Sequence, residues 1–216
     1  MAGIGFELKK LFARKGFFNS LRSFGYATVI CTGPMLLGVI LLFGIMFLCT
    51  VADIPLEKRE LLISMITYTL LFSITTTSFF SMVVTRFCAD MLYEEKKEAI
   101  LPSFWGSCTV MMALGSVIYG LFLLFSGATL MQQFLCFIYF NELIIVWNAM
   151  SYLTAIKDYR GIFLSFSLAV LIAFVVGGFL LLFKAPVIEA MLFAVTAGYG
   201  VMLIIDVILL HRYFPQ

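Results

Sequence analysis

Two acidic residues lie inside long apolar stretches of this 216-residue chain, where a carboxylate is costly. Glu142 shares its stretch with Asn141 and Asn148 but with no basic residue, and Asp206 lies near the end of the last stretch. If these stretches cross a bilayer, an ionised acid at the centre costs about 2.5–3.5 kcal/mol, so each acid requires water, a proton or a partner. We expect Glu142 to face a water-filled path and Asp206 to pair with a basic group at the membrane boundary. The alternatives are a structural role for Glu142 and a place on the path for Asp206.

Neutral polar groups in these stretches could contact a sugar. Six hydroxyls crowd into nine residues, namely Ser73, Thr75, Thr76, Thr77, Ser78 and Ser81. Such hydroxyls commonly bond to their own helix or to a neighbouring one, at roughly 1 kcal/mol each. Because six of them cover every side of a helix, we also expect some to line a wet cavity. Trp147 either stacks on a sugar ring or packs in the core. The predicted path residues are Glu142, Asn148, Trp147, Thr76 and Ser73.

The composition is that of a membrane protein. The chain is 63% hydrophobic and 12% charged, and its mean hydropathy is +1.10, whereas about a quarter of the residues in a globular domain are charged. About 20 apolar residues cross a bilayer core of about 30 Å, and only a helix satisfies its own backbone within one such segment. We therefore predict an all-α bundle with six transmembrane helices, at about 24–52, 61–85, 104–125, 134–156, 162–183 and 187–210. Residues 1–23 predict an amphipathic helix at the membrane interface, and residues 211–216 form a tail.

The basic residues predict an orientation. Eleven of the 14 fall on one side, namely Lys9, Lys10, Arg14, Lys15, Arg22, Arg86, Lys96, Lys97, Lys157, Arg160 and Arg212. Cytoplasmic segments are enriched in Lys and Arg, so both termini are predicted to be cytoplasmic. On that face, Arg86 and Asp90 form either an i,i+4 salt bridge or a contact to an anionic lipid or lipid-linked substrate. Lys157, Arg160 and Asp206 are further candidates there.

Gly33 and Pro34 predict a kink in the first span, because proline removes a backbone hydrogen bond. This kink is either static or a gate that bends during alternating access. The five cysteines show no paired spacing, and the sequence contains no metalloprotease, nucleophile-elbow or phosphate-loop motif. We therefore predict no enzymatic activity, no metal and no cofactor. The basic residues are topological anchors, so no nucleic acid partner is expected.

Several short motifs carry a family resemblance. They are MAGIGFELKK at 1–10, Tyr26-Ala27, Gly33-Pro34, TRFCAD at 85–90, AILP at 99–102 and KDYR at 157–160. In these motifs the chain resembles the PelG family, the polytopic inner-membrane subunit of Pel exopolysaccharide secretion. That family is distantly similar to the multidrug (MATE) and oligosaccharide-lipid flippases. The resemblance implies export of Pel-type polysaccharide, or of its lipid-linked precursor, across the bacterial inner membrane in biofilm formation.

The resemblance also implies partners. Members of the family are normally about twice as long, so we expect this chain to be one lobe, truncated before a second lobe, and to require that lobe or a second copy of itself. The expected partners are membrane lipid, the glycan, a cytoplasmic glycosyltransferase and other secretion subunits. The alternative is a non-transporting scaffold that anchors a cytoplasmic polysaccharide synthase, and a membrane enzyme ranks third.

Overall fold

The computed structural model describes residues 36–156, 158–183 and 185–214, and the regular elements of these residues are all helical. The helices are α1 (Leu36–Val51), α2 (Leu56–Tyr93), α3 (Ile100–Leu124), α4 (Leu130–Ala155), α5 (Tyr159–Leu182) and α6 (Val187–Tyr213), with a 3₁₀ turn at Lys97–Ala99. By length and composition α2 to α6 can each cross a membrane, and α1 is a shorter apolar helix. The predicted all-α membrane fold is confirmed. The predicted interfacial helix at 1–23, with Gly33, Pro34 and Lys157, lies outside the described residues.

Local sequence explains where several helices begin. Thr129 caps α4 through a reciprocal capping box, in which its side chain accepts from the Gln132 backbone N–H and the Gln132 side chain accepts from the Thr129 N–H. Asp158 caps α5 by accepting a hydrogen bond from the Gly161 N–H at 3.0 Å. Gly127, in the α3–α4 loop, adopts φ +70°. Because glycine enters this left-handed region without steric cost, it allows the chain to reverse there.

Helix α4 is the centre of the bundle, in contact with α2, α3, α5 and α6. Its buried residues point to several sides, and Tyr139, Leu143 and Ala149 are fully buried. Beside it, α5 and α6 approach closely at Gly198, where an added methyl group would lie 2.5 Å from the carbonyl oxygen of Ala169. Small residues of this kind let membrane helices pack backbone to backbone.

The loops alternate between two ends of the bundle. We call the end that carries the α1–α2, α3–α4 and α5–α6 loops the α3–α4 end, and the opposite end the α4–α5 end. Helix α2 has 38 residues, so at about 1.5 Å per residue it is about 57 Å long, well beyond a bilayer core of about 30 Å. The last turns of α2, which carry Arg86 and Asp90, therefore extend past the apolar segment at the α4–α5 end.

Candidate transport site

The predicted path residues do not meet in one cavity. On α4, Glu142 faces α6, Trp147 faces α2 and Asn148 faces α3. Thr76 on α2 faces α3 instead. The separation follows from helix geometry, because successive residues advance by about 100° and residues five or six apart therefore point in different directions. The α4 candidates divide among three interhelical contacts.

Glu142 is half-buried in the contact between α4 and α6. Its Oε1 atom would lie 3.2 Å from a methyl group added to Gly200, so the missing side chain at position 200 provides room for the carboxyl group. Its Oε2 atom is buried and has no hydrogen-bond partner among the described residues. Ion pairs within the described chain lie elsewhere, at Arg86–Asp90 and Lys96–Glu94. A buried carboxyl oxygen of this kind is tolerable when a proton, water or a ligand satisfies it.

Two tyrosines accompany Glu142 in this contact. Tyr139 precedes Glu142 by one turn of α4, and its ring centroid lies 5.3 Å from that of Tyr199 on α6. The Tyr139 hydroxyl is buried near Tyr199 and Glu142, without a well-formed hydrogen bond to any described residue. The contact between α4 and α6 therefore holds a phenol hydroxyl and, one turn further along α4, a carboxyl oxygen, both buried without a hydrogen-bond partner in the described chain.

Trp147 and Asn148 are bound within the bundle. The Trp147 indole Nε1 donates to the Ser73 hydroxyl at 3.1 Å, which joins α4 to α2. The Asn148 amide donates to the Ser107 hydroxyl at 2.7 Å, which joins α4 to α3. Both side chains thus make the helix–helix hydrogen bonds that polar residues commonly make in membranes.

The hydroxyls of α2 are mostly bonded to their own helix. Five of the six donate to a carbonyl three or four residues earlier, namely Ser73, Thr76, Thr77, Ser78 and Ser81. Thr75 and Thr76 line an apolar groove of about 420 Å³ against Gly115 of α3. This back-bonding matches the alternative in which the hydroxyls are satisfied locally.

Asp206 is fully buried, and neither of its carboxyl oxygens has a hydrogen-bond partner among the described residues. None of the described basic residues forms the expected ion pair with Asp206. Asp206 lies about two turns from the end of α6, where its polar surroundings are the Ser165 hydroxyl of α5 and the Asp158 carboxylate. Arg212 is in the exposed last turn and does not reach it.

The residues at the α4–α5 end are solvent-exposed. Arg86 Nε lies 3.8 Å from Asp90 Oδ2, and the two side chains are 84% and 59% exposed. An exposed pair of this kind contributes little to stability, which leaves both groups available to a partner. Lys96 Nζ lies 2.8 Å from the Glu94 carboxylate, and this hydrogen bond raises the pKa of Lys96. Arg160 is also exposed.

Sequence reasoning missed a polar contact at the α3–α4 end. The Gln132 amide donates to Glu189 Oε1 at 2.9 Å and joins the start of α4 to the start of α6. The predicted fourth span begins at residue 134, but α4 begins at Leu130, so Gln132 lies in the first turn of the helix. The Thr129-x-x-Gln132 spacing of the capping box is the sequence signal that places Gln132 inside the helix.

Comparison with known protein families decides the class of the protein. Residues 1–216 match the PelG family, described as "Putative exopolysaccharide Exporter (EPS-E)". The chain belongs to the PelG family. Curated proteins and solved structures give no significant match. PelG membership and five described helices that can cross a bilayer identify a multi-pass membrane protein of polysaccharide transport, in a transporter family and not an enzyme family.

Proposed function

We propose that this chain is an inner-membrane component that carries Pel-type exopolysaccharide, or its lipid-linked precursor, out of the cytoplasm during biofilm formation. The PelG match supports the class of cargo. The structural observation that carries the proposal is the half-buried Glu142, whose Oε2 atom has no partner in the described chain. If the glycan bears positive charge, as the resemblance to Pel systems implies, an unpaired carboxylate attracts it.

In this proposal the α4–α5 end faces the cytoplasm. The described basic residues there are Arg86, Lys96, Lys97, Arg160 and Arg212, against Lys58 and Arg59 at the α3–α4 end. Positive charge favours the cytoplasmic side of bacterial membranes. The exposed charged groups at this end are the surface for a cytoplasmic glycosyltransferase and other secretion subunits. A second lobe or a second copy completes the path beside Glu142.

One observation favours a scaffold as the second candidate. The α4 side chains predicted to share a path face three different neighbours, so the described helices do not by themselves enclose a polar channel that unites them. A scaffold would hold the glycosyltransferase at the membrane and carry no glycan itself. Its activity would not depend on the charge of Glu142.

The Glu142→Gln variant tests the transport proposal. We expect normal membrane abundance with reduced secretion of polysaccharide, because the amide keeps the shape of the side chain and removes its charge. Glu142→Leu should reduce secretion equally and leave stability unchanged or slightly higher, because an apolar side chain avoids the cost of burying a carboxylate. Secretion is measured in the culture medium against protein abundance in membranes.

Glu57→Gln is the matched control, because Glu57 is an exposed acid at the α3–α4 end. It should leave secretion unchanged. Full secretion by both Glu142 variants at normal abundance would contradict the transport role of Glu142. If deletion of the chain then still stops secretion and releases the glycosyltransferase from the membrane, the scaffold is supported instead.

A further inference from the structure

A cavity near the α3–α4 end lies between α2, α3 and the start of α4. Its volume is about 630 Å³, within the range of about 300–1,000 Å³ that is typical of small-molecule sites. It is lined by Ser64 and Tyr68 of α2, Tyr119 and Phe122 of α3, and Thr129 and Gln132 at the start of α4. The path candidates Glu142, Trp147 and Asn148 are not among its lining residues, so the cavity is a second site.

One wall of this cavity is aromatic. The ring of Phe122 lies 6.0 Å from that of Tyr68 and 5.9 Å from that of Tyr119, with Tyr119 stacked on Phe122 at an interplanar angle of 24°. Tyr119 is held in place by a 2.7 Å hydrogen bond between its hydroxyl and that of Thr69. Tyr68 is 52% exposed, so its ring is accessible to a ligand. Fixed rings offer a flat apolar face at low entropic cost.

The cavity also presents hydroxyl groups with free capacity for hydrogen bonds. Neither the Ser64 hydroxyl nor the Tyr68 phenol bonds to another group in the described part of the chain. The Thr129 hydroxyl accepts from the Gln132 backbone N–H, and its own proton remains available. The Gln132 side chain is fixed by Thr129 and by Glu189, so the polar edge of the cavity is rigid.

We propose that this cavity binds sugar residues of the exported polysaccharide at the exit side of the membrane. A sugar ring has a C–H face that packs on aromatic rings and an edge of hydroxyls that pairs with Ser64, Tyr68 and Thr129. A lipid acyl chain would leave these hydroxyls unpaired, which is unfavourable away from water. The inference rests on the proposed transport function, and on the orientation in which the α3–α4 end faces outward.

The proposal is tested by introducing a cysteine as Ser64→Cys and measuring whether the transported glycan protects it from labelling. Spheroplasts that express the full chain and its secretion partners are treated with an impermeant maleimide, and labelling of the introduced cysteine is measured by peptide mass spectrometry. One strain synthesises polysaccharide and the other carries an inactive glycosyltransferase. Only the unoccupied fraction reacts, so occupancy of about four-fifths should slow labelling about fivefold in the synthesising strain. Glu57→Cys, at the same end outside the cavity, should react equally in both strains.

A second pair of variants examines the aromatic wall. Tyr68→Leu, added to Ser64→Cys, should weaken the affinity for the glycan about two- to tenfold, because the leucine removes the ring on which the sugar packs. Protection should then fall from about fivefold to between about threefold and about 1.4-fold. Phe179→Leu removes an exposed ring from α5, outside the cavity, and should leave protection unchanged.

Three outcomes would overturn the sugar site. Equal labelling of Ser64→Cys in the two strains would show that glycan does not occupy the cavity. Absent labelling of Ser64→Cys, with normal labelling of Glu57→Cys, would show a cavity filled by lipid. Unlabelled Glu57→Cys would place this end in the cytoplasm. The proposed function fails separately, if deletion of the chain leaves secretion intact.

Discussion

The buried polar residues of the bundle fall into two groups with different consequences. The Asn148 Nδ2 atom and the Trp147 indole donate to hydroxyls on neighbouring helices, so the burial of these two donors is compensated by hydrogen bonds. The Asn148 Oδ1 atom has no partner among the described residues, but it carries no formal charge. Glu142 and Asp206 have carboxyl oxygens without partners among the described residues. A compensated polar group stabilises a helix contact, whereas an uncompensated carboxyl is costly unless water, a proton or a ligand binds it. Functional variants therefore belong at Glu142 and Asp206, and stability variants at Asn148.

Asn148 and Ser107 should behave as a structural pair. Asn148→Ala removes a 2.7 Å hydrogen bond between α4 and α3 and should lower the free energy of unfolding. A double-mutant cycle with Ser107→Ala should give a coupling of about 0.6 kcal/mol, and at most about 1.7, as for other hydrogen bonds between membrane helices. Unfolding in mixed micelles, titrated with SDS, measures the four variants. A coupling energy near zero, together with loss of secretion in Asn148→Ala, would indicate that Asn148 acts in transport and not in helix packing.

At the scale of helices, the contact between α5 and α6 depends on the absence of a side chain at Gly198. A methyl group there would lie 2.5 Å from the Ala169 carbonyl oxygen and 3.1 Å from the Ala173 methyl group. The backbone of one helix would have to move, since no flexible side chain can yield.

Gly198→Ala should therefore destabilise the protein by about 1–3 kcal/mol, the usual cost of overpacking. Gly178→Ala is the matched control on α5, because nothing lies within 4 Å of the added methyl group. It should be neutral or stabilising by up to about 1 kcal/mol. Unfolding is followed with a thiol-reactive dye, which reports Cys49, Cys88, Cys108 and Cys136 as these buried residues become exposed. Equal stability of the two variants would show that α5 and α6 do not pack in this way.

Hydropathy and charge along the chain are sufficient to predict an all-α membrane bundle, because long uncharged apolar runs cross a bilayer only as helices. Hydropathy and charge do not predict which neighbouring helix each polar side chain faces. Glu142 and Asn148 lie six residues apart on α4, yet one faces Gly200 of α6 and the other Ser107 of α3. That outcome depends on how the helices are arranged around α4, which the spacing within a single helix does not specify. The cavity beside Tyr68 could not be predicted for the same reason.

At the scale of the whole molecule, the predicted orientation in the membrane rests on charge. The structure shows which positions are suitable for the cysteine probes that would test it. Gln132 is a poor probe, because its side chain is buried and donates to Glu189. Asp158 is also unsuitable, because its carboxylate caps α5. Exposed neighbours at each end avoid both problems.

Single cysteines at four exposed positions should therefore distinguish the two faces of the membrane. Glu57→Cys and Glu60→Cys lie at the α3–α4 end, and Lys97→Cys and Arg160→Cys lie at the α4–α5 end. With basic residues held in the cytoplasm, an impermeant maleimide added to spheroplasts should label the first pair and not the second. After the membranes are opened by detergent, all four cysteines should react, which controls for accessibility. Labelling of the second pair in sealed cells would invert the orientation and move the cavity beside Tyr68 to the cytoplasmic side.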